Sequence, residues 1–240
     1  MIIVMEVPGL DVDRAIIERR YNEFYTLQKG LRKECGDVMK QVPTFPRKRF
    51  FGRNFEKHHI EDRCRLFEKY LRFLYHQQGV IRSKAFQRFF IKPHLEKATE
   101  RLKCEQFEES LTQYQLAAHL QRKLGRVDRD DMIVALSGVV ETCKNLKDYK
   151  RVVSAGTECM EHLDYDLSHP FLLALMQSVI DARKREMLPL DELKAKFRDC
   201  LDRSVYDQNS IKSLRELLVR RYWDFSGLFV LNLAQLSNLI

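Results

Sequence analysis

Residues 16–24 read "IIERRYNEF", and two arginines standing directly before a tyrosine decide how the first part of the chain folds. Ile16 and Ile17 favour extended backbone. Asn22 is of a type that caps helices by accepting from a backbone N–H one turn on. Phe24, Leu27 and Leu31 then recur at helical spacing. Arg19, Arg20 and Tyr21 therefore occupy a strand-to-helix corner, a place that carries function more often than a strand interior does.

Working outward, residues 1–8 and 14–21 read as two short strands joined by the turn-like "PGLDVD", and a helix is expected over 23–34. The stretch "DVMKQVPTFPRKRFFGRNF", 37–55, holds two prolines, a glycine and an asparagine, so it reads as a long ordered loop. Loops of that length inside a compact domain are usually functional. From His59 a helical stripe runs through Leu66, Phe67, Tyr70, Leu71 and Leu74. A short helix over 83–91 points Phe86, Phe89 and Phe90 inward, and Pro93 ends the region. The first part is thus α+β: a small antiparallel sheet packed on helices, with a long proline loop.

Beyond Pro93 glycine and proline become rare. Helices are expected near 94–103, 105–123, 128–145, 148–163, 168–185, 190–201 and 209–222, with breaks at Gly125, "DYDLSHP" and "MLPLD". The segments "CEQFEESLTQYQLAAHL" and "LKDYKRVVSAGTECMEHL" resemble each other, with Phe107 and Tyr149 offset by 42 residues (149 − 107) and small Ala117 and Ala155 where helices can approach closely. Paired helices at such a period point to an all-α helical-repeat array.

Charge divides at the same place. Residues 1–92 carry 20 Lys+Arg against 11 Asp+Glu, a net of +9, whereas the remainder carries 22 against 23, a net of −1. A basic module joined to a neutral one needs an anionic target for its first half alone, and nucleic acid and anionic lipid are the candidates. No apolar run reaches the roughly 18 residues of a membrane span, and "MIIVMEVPGL" lacks the basic flank of a signal peptide, so a folded cytosolic protein is expected. The six cysteines form no C-x-x-C pair, which suggests neither zinc site nor disulfide framework but buried free thiols. His58 and His59 precede Cys64 without converging partners. With no Gly-rich phosphate loop and no paired carboxylates, neither an enzyme nor a cofactor or metal site is expected.

The loop sets Arg47, Lys48, Arg49 and Arg53 beside Phe50 and Phe51. Each ring gains roughly 1.5–3 kcal/mol on leaving water, and cations beside them suit lipid headgroups, so Phe50 and Phe51 are candidates for membrane insertion. They could also pin the loop to the core. Arginine grips phosphate through a planar fork, and an aromatic face can pack on a sugar ring. Arg20 and Tyr21 supply one of each, Lys48 a point charge, and Arg63 a second fork near a helix start that favours negative charge. Nucleic acid is the rival target for the basic half, but these cations lie at separated motifs and not along one helix face.

"RRYNEF", "FPRKRFF" and "IEDRCRLFEKYLRFLY", in that order, resemble the phox-homology (PX) domain of the sorting nexins. The resemblance covers about residues 1–92. It implies that Arg20 clamps the 3-phosphate of phosphatidylinositol 3-phosphate and that Tyr21 stacks on the inositol ring. Lys48 would contact the 1-phosphate and Arg63 the 4- and 5-hydroxyls. Arg19, Arg47 and Arg49 would be supporting cations, and Phe50 and Phe51 the membrane-insertion loop. "ERRY", "FPRK", "LKDYKRVVSAGTECMEHL" and "SLRELLVRRY" further resemble the sorting nexin twenty/twenty-one pair, in which a PX-associated helical domain follows. The implied plan is a PX domain over 1–93, a tetratricopeptide (TPR)-like helical-repeat domain over 94–223 that binds protein cargo, and an apolar tail over 224–240. The family sheet has three strands and only two fit before Arg20, so its first strand is expected to be missing. The implied function is that of an adaptor on the cytoplasmic side of early endosome membranes, in endosomal sorting, with no nucleic acid partner.

Overall fold

The computed structural model describes residues 2–5, 15–42, 45–46, 57–125, 128–204 and 211–221. The chain divides into two compact units, one of 1–92 with 123–126 and one of 93–122 with 127–240.

In the first unit, strands β1 (Ile2–Met5) and β2 (Ala15–Glu18) pair antiparallel, with Ile3 opposite Ile17 and Val4 opposite Ile16. Strand β2 ends before the expected bound at 21, because Arg19 and Arg20 leave the strand and a helix begins at Tyr21; residue 1 and residues 6–14, with the turn, lie outside the described residues. Helix α1 (Tyr21–Glu34) starts earlier than expected, because its N-cap is Arg20 and not Asn22. Arginine offers no side-chain acceptor to the helix start, but the Glu23 carboxylate accepts the Arg20 N–H at 2.6 Å, the backward half of a capping box. A one-turn helix α2 (Gly36–Met39) opens the stretch read as loop. Helix α3 (Lys57–Tyr75) buries Phe67, Tyr70 and Leu74, whereas Leu66 stands 43% exposed, off the apolar face. The one-turn α4 (Gln78–Ile81) follows.

Helix α5 (Lys84–Lys103) corrects the reading of Pro93 as a terminator, for the helix runs through it. Proline in a helix interior removes the N–H that residue i−4 expects, here the donor for the Phe89 carbonyl. The buried Arg19 guanidinium takes its place, donating from Nε to Phe89 O at 2.7 Å and from Nη2 to Phe90 O at 2.8 Å. Phe86, Phe89 and Phe90 are buried, as their spacing implied.

The second unit continues with α6 (Phe107–Lys123), α7 (Arg129–Asn145), α8 (Tyr149–Leu163), α9 (Leu172–Arg185), α10 (Asp191–Asp202) and α11 (214–221). Helix α8 packs on both α7 and α9, and α9 on α10. Three helix-to-helix corners share one geometry. Glu105, Lys147 and Met187 take positive φ of 59°, 61° and 54°, at intervals of 42 and 40 residues (147 − 105 and 187 − 147). At each, the next amide donates five residues back: Gln106 to Arg101, Asp148 to Cys143 and Leu188 to Arg183, all at 2.9 Å. These are Schellman turns. Ala117 and Ala155 are buried, and two helix glycines sit where a side chain would not fit. A Cβ at Gly138 would stand 2.5 Å from the Tyr114 ring, and one at Gly156 would overlap Val179. Of the six thiols only Cys143, Cys159 and Cys200 are buried, while Cys104 is exposed and Cys35 and Cys64 are partly so. The tail over 224–240 lies outside the described residues.

Candidate functional site

The arginine doublet splits because the strand alternation of β2 continues past its end. Ile17 and Arg19 face inward, and Ile16, Glu18 and Arg20 face outward. Arg19, only 3% exposed, therefore does a different job from its neighbour. Besides its two bonds to α5 it donates from Nη1 to Glu18 O at 2.7 Å, and its guanidinium lies 5.6 Å from the centroid of Phe89. Burial pulls its pKa down and Glu23, 3.7 Å away, opposes that shift. Sequence reasoning counted Arg19 among the supporting cations of the site. The structure spends it on backbone carbonyls inside the fold.

Arg20 is exposed at the N-terminus of α1, where four backbone N–H groups and the helix dipole already favour an anion. Tyr21, the first residue of α1, stands beside it, half-buried. Arg63 comes from the second turn of α3, and its guanidinium lies 5.4 Å from the centroid of the Tyr21 ring. The helix-start contribution expected at Arg63 is absent, because α3 begins six residues earlier at Lys57 and the dipole acts over the first turn alone. The structure thus brings Tyr21 and Arg63 together, with Arg20 preceding Tyr21 in the chain at the start of α1. Arg47, Lys48, Arg49, Phe50 and Phe51 lie outside the described residues.

The residues that sequence reading missed hold Tyr21 from behind. The Tyr21 hydroxyl donates to the carbonyl of the buried Pro46 at 2.9 Å. Phe45 meets Tyr21, Phe67 and Tyr70 edge-on, with centroids 6.0, 5.5 and 5.4 Å apart. Phe67 in turn meets Tyr21 edge-on at 5.9 Å and stacks on Phe24 at 4.0 Å. Tyr70 is fully buried, which pushes its phenol pKa up, and its hydroxyl has no partner among the described residues. The signal for this cluster was in the sequence as "FP" before the basic run, but composition alone cannot say which phenylalanine of a loop turns inward.

The arrangement can bind an anionic, ring-bearing ligand: one fork outside the helix start, an aromatic face, and a second fork over that face. Among the described residues no group of three His, Cys, Asp or Glu side chains could hold a metal ion. No helix among them is long and apolar enough to cross a membrane.

The family model of the PX domain matches residues 10–93, and PX domains bind phosphoinositide lipids. The chain is 30% identical to Sorting nexin-20 of Rattus norvegicus over 223 residues, which covers 92% of this chain and 69% of that protein. It is 28% identical to Sorting nexin-20 of Bos taurus over 223 residues, with the same coverage of 92% and 69%. It is 27% identical to Sorting nexin-21 of Mus musculus over 215 residues, 89% of this chain and 58% of that protein. No solved structure matches it. A PX domain at the start, a helical unit after it and identity along most of the length place the chain in a family of membrane-trafficking adaptors, the sorting nexins, to which it belongs.

Proposed function

We propose that this protein is a peripheral adaptor that binds phosphatidylinositol 3-phosphate on early endosome membranes and carries protein cargo on its helical unit. In this reading Arg20 grips the 3-phosphate, Tyr21 packs on the inositol ring, Lys48 reaches the 1-phosphate and Arg63 holds the 4- and 5-hydroxyls. Phe50 and Phe51 enter the bilayer, and Arg47 and Arg49 add attraction to its surface. The observation that carries the reading is the Arg63 guanidinium 5.4 Å from the centroid of the half-buried Tyr21 ring, with the exposed Arg20 next to that tyrosine in the chain. Two cations and a flat apolar face suit a phosphorylated sugar and do not suit a nucleic acid backbone, which favours an extended row of cations.

Residues 94–223 would form the partner-binding part, with 224–240 as a tail. Support for a TPR-like array comes from the three corners at Glu105, Lys147 and Met187, each closing a helix pair at nearly constant interval. Repeats of this kind stack neighbour on neighbour and present extended surfaces to partners.

Liposome co-sedimentation across a panel of phosphoinositides tests the lipid assignment. Selective retention on vesicles holding phosphatidylinositol 3-phosphate, lost in Arg20→Gln, is the expected result. Equal retention on all anionic vesicles would refute the stated selectivity. A salt titration against duplex DNA would reveal the rival target, because nucleic-acid binding falls steeply with salt.

A further inference from the structure

We infer that Phe45 is a positioning residue for headgroup recognition: with the carbonyl of Pro46 it fixes the plane of the Tyr21 ring on which the sugar packs. The inference rests on the reading of Arg20, Tyr21 and Arg63 as the headgroup site.

A stacking surface is useful only if it does not turn when the ligand arrives. Tyr21 sits at the first position of α1, where the helix gives its ring little lateral support. Three contacts from other elements supply that support. The hydroxyl is tied to Pro46 O at 2.9 Å, which fixes the far end of the ring. Phe45 and Phe67 press on it edge-on, at interplanar angles of 63° and 65°. Phe45 is itself held by Phe67 and Tyr70, at interplanar angles of 75° and 80°, and these two lie on the buried face of α3. Edge-to-face packing aims the positive ring edge at the negative face of its neighbour, so these contacts resist rotation as well as separation. Phe45 and Pro46 are consecutive, so one dipeptide delivers both the ring brace and the hydroxyl tie. Arg63 comes from the same helix as Phe67 and Tyr70, so the brace also sets the ring relative to the second cation.

The test is a double-mutant cycle read by NMR titration with soluble short-chain phosphatidylinositol 3-phosphate, on the full chain. Phe45→Leu keeps an apolar side chain at the position and removes the edge contacts. It should weaken binding about two- to tenfold, the range that one or two aromatic pairs span. In a Tyr21→Leu background there is no ring to position, and Phe45→Leu should then change affinity by less than about twofold. Tyr21→Phe, which leaves the packing intact and removes only the tie, should also weaken binding about two- to tenfold. Thermal midpoints of all variants show whether loss of fold accounts for the effect. Equal losses from Phe45→Leu in both backgrounds would overturn the inference, since Phe45 would then act through general stability. Arg20→Gln is the separate control. If it leaves affinity unchanged, the site reading itself falls and takes this inference with it; if it abolishes binding while the cycle is additive, the inference falls alone.

Discussion

Arg63 and Tyr21 form a cation–π pair across two helices, with 5.4 Å between the guanidinium carbon and the ring centroid. Such a pair is worth about 0.5–1 kcal/mol at a partly exposed site. It holds the second fork over the aromatic surface before any ligand is present. Lysine would keep the charge there and lose the planar fork and the stacking. Arg63→Lys should therefore weaken soluble headgroup binding about tenfold, without changing attachment to anionic vesicles that lack phosphoinositide. Isothermal titration with short-chain lipid, beside co-sedimentation, checks both halves.

Arg20→Gln should lower affinity for phosphatidylinositol 3-phosphate about tenfold to over a hundredfold, the span of one charge-assisted contact of roughly 1.5–3 kcal/mol. Because Arg20 is exposed, its thermal midpoint should stay where it is. Unchanged vesicle binding by the folded variant would remove Arg20 from the site.

Arg19 should behave in the opposite way. Arg19→Ala leaves the Phe89 carbonyl with neither its helix donor nor its substitute, and should cost at least about 2 kcal/mol of stability. The remedy is specific. Pro93→Ala restores an N–H at the position Phe89 O expects, so it should recover about 1 kcal/mol in the Arg19→Ala background and less in the parent. Urea unfolding of the four proteins measures this, and headgroup affinity per folded molecule should not change. A loss of affinity in Arg19→Ala at full folding would return Arg19 to the binding site.

In the helical unit Gly138→Ala should destabilise by about 1–3 kcal/mol, despite alanine's better helix propensity. The new Cβ would stand 2.5 Å from a fully buried Tyr114 ring, whose hydroxyl is held by Thr99 at 2.8 Å and so cannot swing away. Tyr114→Leu in the same chain should relieve the overlap. A Gly138→Ala variant that melts as the parent does would show that the α6–α7 approach is looser than described.

The sequence disclosed what depends on period and order. The β-branched pair Ile16 and Ile17 and the turn-like "PGLDVD" gave the strands, the spacing of Phe24, Leu27 and Leu31 gave α1, and "RRY", "FPRK" and the helix with Arg63 gave the family. It failed where a distant group completes a local pattern. Pro93 reads as a terminator because nothing near it in sequence supplies the absent donor; Arg19 does so from seventy residues away. Asn22 reads as a cap because arginine is no cap by propensity, yet Arg20 holds that place with help from Glu23. The corners at Glu105, Lys147 and Met187 carry no glycine, so their shared geometry left no mark in the residue types. In the site, the charges were legible and the brace was not. Which of several phenylalanines turns inward depends on the faces of α1 and α3, which exist only once both helices have docked.

The bond between Arg19 and Phe89 also ties the residue at 19 to the residue at 93. Proline in the middle of a helix is costly, about 3 kcal/mol when nothing compensates. With an arginine aimed at that carbonyl, proline at 93 is tolerated at a smaller cost. With proline at 93, a substitution at 19 that lacks a donor leaves the Phe89 carbonyl without a partner and is no longer neutral. Lineages of this family with another residue at 93 should therefore show freer variation at 19, and those with proline there should keep a side-chain donor at 19.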